Sequence, residues 1–347
     1  MSQYAEELRN TAKAMVAPNQ GVLAMDESNG TCNKRFEKQG IDPTEEMRRQ
    51  YRELILTTPQ IGNYISGAIL YDETIRQKKQ DGTPFTQVMK DADVIVGIKV
   101  DTGAKDLAAH PGEKVTEGLD GLRDRIAEYY QMGARFAKWR AVITIGDGIP
   151  SRGCIEANAH ALARYAALCQ EGGLVPIVEP EVLIDGDHTI ERCYEVTDET
   201  LRTVFTELRT QGVEFDQMIL KPSMVISGKD CPQQATAQQV AEQTIKCLRN
   251  NVPASVPGIA FLSGGQSPER AAEHLHLMNS EPLKSQCPWR VTFSYARAIQ
   301  QPALEHWKGQ TSNVADAQKL LSHRAQCNSA ASMGNYSPEM EKQPAMA

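Results

Sequence analysis

The run Gln217-Met-Ile-Leu-Lys-Pro-Ser-Met224 shows the pattern that decides the fold, because its apolar residues stand side by side rather than in alternation. Such continuous hydrophobicity is typical of a parallel strand that is buried on both faces. Seven similar runs occur along the 347 residues, with amphipathic stretches between them. The predicted strands cover residues 21–25, 67–71, 94–100, 134–139, 174–178, 217–220, 258–262 and 290–293.

Helix-start signals lie between these runs. In Asp42-Pro-Thr-Glu45 an N-cap aspartate precedes a proline, Thr236-Ala-Gln-Gln239 is a capping box, and Ser267-Pro268 begins the helix after the seventh strand. Eight strands that alternate with helices over about 300 residues predict an α/β fold, the (β/α)8 or TIM barrel. A doubly wound sheet is the alternative, but the G-x-G-x-x-G turn that usually marks it is absent.

The predicted barrel is a single domain over residues 1–325, with an extra helix over residues 5–16 ahead of the first strand. Residues 326–347 are mostly small or polar, and we expect them to form a mobile C-terminal tail.

The composition argues against several classes of function. The net charge is −7 and no long basic run occurs, so we expect no nucleic-acid or membrane partner. No apolar run approaches the roughly 18 residues of a membrane span, and the N-terminal residues lack the pattern of a secretory signal. Eight cysteines are spread singly without C-x-x-C, and H-E-x-x-H is absent, which predicts reduced cytoplasmic thiols and no metal site.

The predicted strands end in charged or phosphate-binding groups far more often than contact with water requires. The C-terminal ends of barrel strands converge on one face, where active sites form. Side chains two apart share a strand face, so Lys138 lies beside Arg140 and Glu179 beside Glu181. The groups at the strand ends are Asp26, Glu27, Ser28, Asp72, Glu73, Lys99, Lys138, Arg140, Glu179, Glu181, Lys221, Ser263, Gly264, Gly265, Ser294 and Arg297.

Lys221 is the most informative of these groups because it interrupts an apolar run. Burial penalises an ammonium, neighbouring cations favour the neutral amine, and a neutral amine is a nucleophile toward carbonyls. The alternative is a strand-end lysine that reaches solvent. These considerations apply to Lys99 and Lys138 as well, so the residues alone do not choose among the three lysines.

The surplus of cations predicts a phosphorylated substrate. Leu262-Ser-Gly-Gly-Gln266 precedes a helix start and predicts a phosphate loop, because glycines let backbone N–H groups approach an anion. The same string is the signature of ABC-type ATPases, but those proteins need a Walker A motif that this chain lacks. A purely structural turn is the remaining alternative.

In these features the chain resembles class I fructose-bisphosphate aldolases, the metal-independent enzymes that form a Schiff base. The matching segments keep the family order and extend from about residue 5 to residue 336. They are Gly21-Val-Leu-Ala-Met-Asp-Glu-Ser28, Gly97-Ile-Lys-Val-Asp101, Phe136-Ala-Lys-Trp-Arg140, Val175-Pro-Ile-Val-Glu-Pro-Glu181, Leu220-Lys-Pro-Ser-Met224, Phe261-Leu-Ser-Gly-Gly-Gln266 and Thr292-Phe-Ser-Tyr-Ala-Arg297.

The resemblance implies a role for each matching position. Lys221 would form the Schiff base with the ketose carbonyl, Glu179 would exchange protons during dehydration, and Asp26 would deprotonate the C4 hydroxyl. Lys138 would lie beside Lys221 and favour its neutral form, and Glu181 would support the proton network. The implied substrate-binding positions are Ser28, Thr31, Arg35, Lys99 and Arg140, with Ser263, Gly264, Gly265, Ser294 and Arg297 around the phosphate nearest the ketone.

The resemblance also implies the reaction and its setting. Fructose 1,6-bisphosphate would be cleaved reversibly to dihydroxyacetone phosphate and glyceraldehyde 3-phosphate, in glycolysis and gluconeogenesis. We expect no metal or other cofactor, a cytoplasmic homotetramer, and the phosphorylated sugar as ligand, with cytoskeletal or other protein partners unassigned. The alternatives are another Schiff-base barrel aldolase, such as a transaldolase-like enzyme, and a moonlighting cytoskeletal scaffold.

Two positions depart from the family pattern. Animal members end in a tyrosine that folds over the site, whereas this chain ends Pro344-Ala-Met-Ala347, and Tyr336 does not align with that terminus. Ala296 stands where animal forms have glycine, beside Arg297.

Overall fold

A computed structural model describes residues 3–342 and shows eight parallel strands closed into a barrel. The barrel order is β1-β10-β9-β8-β7-β6-β3-β2, and a two-stranded antiparallel sheet, β4-β5, lies outside it. The strands are β1 Gly21–Ala24, β2 Ile65–Leu70, β3 Ile95–Lys99, β4 Gly103–Asp106, β5 Lys114–Glu117, β6 Phe136–Ile143, β7 Val175–Val182, β8 Ile219–Leu220, β9 Gly258–Phe261 and β10 Arg290–Tyr295. The predicted TIM barrel is confirmed, and each predicted strand overlaps a barrel strand.

Helices surround the barrel and connect its strands. They are α1 Ala5–Met15, α2 Asn29–Glu37, α3 Glu45–Leu56, α4 Asp72–Arg76, α5 Phe85–Asp91, α6 Leu122–Gln131, α7 Arg152–Glu171, α8 Ile190–Thr210, α9 Ala237–Asn251, α10 Pro268–Met278, α11 Arg297–Trp307 and α12 Val314–Ser332. Short 3₁₀ helices cover Ile61–Asn63, Phe215–Gln217, Lys284–Gln286, Thr311–Asn313 and Pro338–Glu341. Among the described residues, no helix is both long and apolar enough to cross a bilayer.

The barrel interior changes from apolar to charged along each strand. Phe136 and Ile177 belong to one buried apolar cluster, and they stand two residues before Lys138 and Glu179 on the same strands. Ile219 of that cluster likewise precedes Lys221 by two. Because side chains two apart share a face, the apolar cluster lies directly below the charged groups.

The N-terminal helix α1 closes the opposite end of the barrel. Its buried residues Leu8, Ala12 and Met15 belong to the same apolar cluster as the interior side chain of Phe136. The lower end of the barrel is therefore filled, and the open face lies at the C-terminal ends of the strands.

One glycine is required by this packing. A Cβ atom placed on Gly97 would lie 2.1 Å from Cζ of Phe136, which is fully buried. The aromatic ring therefore occupies the space that a side chain at position 97 would need.

Three local features differ from the expectations. The helix predicted to be capped by Asp42 begins at Glu45, because Thr44 accepts the backbone N–H of Met47. The β4-β5 hairpin is not among the predicted elements, because β4 is mostly exposed, β5 is only half-buried, and neither strand has the apolar run used to identify strands.

The expected tail boundary at residue 326 also differs, because α12 continues to Ser332. Asn328 and Ser329 are buried in this helix, and Ser329 Oγ donates to the carbonyl of Asn19 at 2.7 Å. Small polar residues there serve close packing and a hydrogen bond, so residues 326–332 are ordered structure rather than tail. Residues 343–347 lie outside the described range.

Candidate active site

A cavity of about 270 Å³ opens at the C-terminal ends of the barrel strands. Most of the predicted site residues line it together. They are Asp26, Ser28, Thr31, Lys99, Lys138, Arg140, Glu179, Glu181, Lys221, Ser263, Gly264, Ser294 and Arg297. A second cavity of about 290 Å³ lies near the start of β1, β9 and β10, and none of the predicted site residues lines it.

Lys221 is 3% exposed, and its only carboxylate within 4.0 Å among the described residues is Glu179. The Nζ atom lies 3.1 Å from Glu179 Oε1, while Lys138 Nζ lies 3.5 Å from the other oxygen, Oε2. Glu179 thus bridges two buried lysines. The carboxyl group of Glu179 therefore lies directly beside the Lys221 amine, which interrupts the apolar run in the sequence.

Asp26 and Lys138 form a buried ion pair with 2.7 Å between Oδ2 and Nζ. Burial opposes the carboxylate, but the charges of Lys138 and Lys221 outweigh it and lower the pKa of Asp26 to about 2. Burial also opposes the Lys138 ammonium, and Asp26 and Glu179 overcome that penalty and raise its pKa. At neutral pH the pair is therefore a carboxylate and an ammonium.

Asp101 is a central residue to which the sequence reasoning assigned no role. Its Oδ1 lies 3.4 Å from Lys99 Nζ, and its Oδ2 lies 3.9 Å from Lys138 Nζ. The backbone N–H groups of Arg140 and Gly103 donate to the two oxygens at 3.2 and 3.1 Å. Asp101 therefore ties two site lysines to the backbone of β6 and the hairpin. Its position at the end of an apolar strand was the signal that could have identified it.

Ser28 and Thr31 lie at the start of α2, beside the cavity. Ser28 is the N-cap, its Oγ accepts from the Thr31 N–H at 3.4 Å, and the two hydroxyls lie 3.1 Å apart. Helix N-termini attract anions, so this corner can bind a phosphate.

Arg140 lies on the cavity rim and forms an ion pair with Glu181. In the β6-β7 register Arg140 lies opposite Glu179. This alignment brings together the charged residues that were predicted to share one face of each strand.

The loop after β9 has the backbone expected of an anion site. Gly264 and Gly265 adopt φ of +58° and +90°, a region that favours glycine, and Ser267 caps α10. A Cβ atom on Gly265 would lie 3.6 Å from Arg297 Nη2, so Arg297 lies beside this loop. Ser294 Oγ is buried and lacks a hydrogen-bond partner in the described structure. Ala296, which departs from the animal pattern, also lines the cavity.

Among the residues to which the family resemblance assigns a site role, Arg35 and Gly265 do not line the cavity. The Arg35 guanidinium is held in an ion pair with Glu27, and its Nη1 donates to Gln300 Oε1 at 3.1 Å. Glu27 also pairs with Arg52 at 3.0 Å. Arg35 is therefore placed to support the loop after β1 from behind the cavity.

Tyr336 is engaged away from the cavity. Its hydroxyl donates to Glu341 Oε1 at 2.7 Å, and its ring lies 6.2 Å from that of His276.

Comparisons with known proteins identify the family of this chain. The family model described as fructose-bisphosphate aldolase class-I matches residues 7–347. A probable fructose-bisphosphate aldolase class 1 from Xanthomonas campestris pv. campestris is 60% identical over 332 residues, covering 95% of this chain and 98% of that protein. The fructose-bisphosphate aldolase of Dictyostelium discoideum is 48% identical, covering 97% and 95% of the two chains.

A solved structure is similar over nearly the whole chain. It is the Plasmodium falciparum fructose-bisphosphate aldolase in complex with TRAP and a small-molecule inhibitor, with a TM-score of 0.95 and 45% identity. The match covers 97% of each chain. A full-length family match, close relatives and a common barrel lead to one conclusion: this chain belongs to the class I fructose-bisphosphate aldolases.

Proposed function

We propose that the chain cleaves fructose 1,6-bisphosphate through an imine on Lys221. The observation that carries the proposal is the 3.1 Å contact between the nearly inaccessible Lys221 amine and Glu179. The amine adds to the ketone carbon, and the resulting carbinolamine loses water to give the iminium. The iminium then accepts the electron pair that is released when the C3–C4 bond breaks.

Glu179 is the proton carrier for imine formation in this proposal. Loss of water from the carbinolamine requires a proton on its hydroxyl, and Glu179 is the carboxyl group in contact with Lys221. Lys138 contacts the other oxygen of Glu179 and so stabilises the carboxylate once the proton has left. Glu181 stands two residues further along β7 and, with Arg140, completes the network.

Asp26 is the base for C–C cleavage in the proposal. Burial opposes the charge of Asp26, but the Lys138 ammonium outweighs this penalty. The pKa of Asp26 is about 2, so Asp26 is ionised at neutral pH, which is the form that accepts a proton. The transfer moves the proton of the C4 hydroxyl to Asp26 as the aldehyde forms. Lys138, held by Asp26 at 2.7 Å, stays cationic and compensates the negative charge near the reacting atoms.

The two phosphates are assigned to the cationic and hydroxyl groups of the cavity. Ser263 and Gly264 belong to the loop after β9, whose backbone favours an anion, and Ser294 and Arg297 line the same cavity. The Ser294 hydroxyl is buried and has no hydrogen-bond partner in the described structure. Ser28, Thr31 and Lys99 provide a second group of donors. Arg35 acts in this proposal by holding Glu27 and the loop after β1, since it does not line the cavity.

Borohydride trapping tests the imine. Incubation with dihydroxyacetone phosphate and borohydride should inactivate the enzyme, and one modified peptide should contain Lys221. The matched variant Lys221→Arg keeps a cation but should neither cleave substrate nor become labelled. A label that maps to Lys99 or Lys138 instead would contradict the assignment.

We also propose that turnover needs no metal. The carboxylates of Asp26, Glu179 and Asp101 each lie within ion-pair distance of a lysine other than Lys221, so none of the three is free to ligate a metal. Cleavage in excess chelator should equal cleavage without it. A large loss of rate that added zinc restores would refute this part of the proposal.

The cellular setting is proposed from the same features. All eight cysteines are free thiols and seven are buried, which suits a reducing compartment such as the cytoplasm. We propose a homotetramer, to be tested by sedimentation of the purified chain at several concentrations. The Plasmodium falciparum relative was solved in complex with TRAP, and binding of an added candidate protein to this chain would give a faster-sedimenting species than either protein alone.

A further inference from the structure

Three different potential metal ligands meet at the C-terminal end of the described chain, away from the active-site cavity. His323 and Cys327 are one turn apart on α12, and Glu341 ends the 3₁₀ helix Pro338–Glu341. One ligand atom from each residue lies within 4.8 Å of the others. None of the three lines the active-site cavity.

The distance between the first two ligands matches a zinc site. His323 Nε2 and Cys327 Sγ are 3.8 Å apart. Tetrahedral zinc with ordinary Zn–N and Zn–S bonds would separate these atoms by about 3.6 Å. The pair therefore needs almost no rearrangement, and the carboxylate of Glu341, which lies within 4.8 Å of both atoms, needs a shift of up to about 1.4 Å to reach a tetrahedral position.

The surroundings already hold Glu341 in place. Its Oε1 accepts the Tyr336 hydroxyl at 2.7 Å, and its Oε2 forms an ion pair with the buried Arg324. Such outer hydrogen bonds orient a ligating carboxylate and are typical of metal sites. The Met340 carbonyl lies 3.6 Å from Cys327 Sγ, so the backbone of the 3₁₀ helix approaches the sulfur as well.

The chemistry of the donors favours zinc over harder cations. One imidazole, one thiol and one carboxylate form a mixed nitrogen, sulfur and oxygen set, whereas calcium and magnesium prefer oxygen alone. A zinc ion with a thiolate and a carboxylate carries no net charge, so the neighbouring Arg324 is tolerated. The fourth position is left for water.

We infer that His323, Cys327 and Glu341 form a zinc site with three protein ligands that fastens the 3₁₀ helix Pro338–Glu341 to α12. Binding replaces the S–H bond of Cys327 by a Zn–S bond, and the proton leaves to solvent without any change of oxidation state. The site lies on the segment that leads into the last residues of the chain. The site takes no part in the imine chemistry, so a failure of the proposed mechanism would leave this inference unchanged.

Cobalt provides a probe with a distinctive signal, because a thiolate bound to Co²⁺ gives a charge-transfer absorption in the near ultraviolet. Full-length protein stripped with chelator should bind one Co²⁺ per chain with this band, and Zn²⁺ should displace it. Cys327→Ser should lose the band, and His323→Gln should weaken Co²⁺ binding by about tenfold or more. Cys287→Ser is the matched control and should keep the band, because Cys287 is half-buried and belongs to no potential metal-ligand cluster among residues 3–342.

Hydrogen exchange supplies a second measurement in case Cys327→Ser folds poorly. Zn²⁺ should slow amide exchange across residues 327–342 of the wild-type chain and should not do so in His323→Gln. Absence of the thiolate band in the wild-type protein overturns the inference. A band that persists in Cys327→Ser overturns it as well, because the sulfur ligand would then be another cysteine.

Discussion

Replacing Asp101 by asparagine tests the residue that lies between Lys99 and Lys138 in the site. The substitution preserves shape but removes the charge that faces Lys99 at 3.4 Å and Lys138 at 3.9 Å. With an effective dielectric constant of about 20, these contacts are worth about 5 and about 4 kcal/mol before desolvation is counted. Desolvation of the buried charges cancels most of this gain, and removing one partner of such a pair typically costs about 3 kcal/mol.

We therefore expect Asp101→Asn to lower the free energy of unfolding by about 3 kcal/mol, seen as a lower urea midpoint with an unchanged slope. The control is Asp185→Asn, whose partner Lys229 is largely exposed, and it should change stability by less than about 0.5 kcal/mol. Both variants must be compared with the wild type at one protein concentration, because association of chains would also contribute to stability.

The same variant separates binding from imine formation. Lys99 would lose its anchor, so KM for fructose 1,6-bisphosphate should rise about tenfold, which corresponds to about 1.4 kcal/mol. Lys221 and Glu179 do not contact Asp101, so borohydride trapping of Lys221 should remain. Equal urea midpoints for Asp101→Asn and the wild type, or complete loss of trapping with normal KM, would refute this reasoning.

Three further predictions concern other parts of the molecule. Gly97→Ala should destabilise the fold by about 1–3 kcal/mol in urea because its Cβ would overlap Phe136, whereas Gly30→Ala, with nothing within 4 Å, should be neutral or stabilising. The pKa of Asp26, about 2 and below its ordinary value, gives about 2 kcal/mol of stability above pH 4 that is lost as pH falls toward 2. The urea midpoint of Asp26→Asn should therefore fall less than that of the wild type between pH 5 and pH 3; parallel curves would contradict this. Arg297→Met should raise KM for fructose 1,6-bisphosphate by about 10- to 100-fold. It should leave trapping of unphosphorylated dihydroxyacetone unchanged, and equal losses for both ligands would exclude a phosphate-specific role.

The barrel and its charged face were predictable because they depend on local patterns. A strand buried on both faces must be apolar along its length, and it must end where its side chains meet solvent or substrate. Lys221, Glu179 and Asp26 each end such a run, so the sequence predicted them at strand ends, whereas the choice among Lys99, Lys138 and Lys221 came from the family resemblance. The capping box at Thr236 and the helix start at Ser267 were also correct, because a cap involves only neighbours within one turn.

Features that depend on distant contacts were missed or misplaced. The β4-β5 hairpin lacks an apolar run. Residues 326–332 have a tail-like composition but are held by contacts such as that of Ser329 with Asn19. The N-cap moved from Asp42 to Thr44, because two capping residues stand close together and the local pattern does not decide between them.

The sequence by itself determined that this chain is an aldolase barrel and which strand ends carry ionisable groups. Only the tertiary structure decided which of these groups meet: Glu179 between Lys221 and Lys138, and Asp101 between Lys99 and Lys138. The tertiary structure also decided that Arg35 pairs with Glu27 and does not line the cavity. The physical reason is that alternation along a strand is local, whereas the register between strands and the closure of the barrel set the distances between their ends.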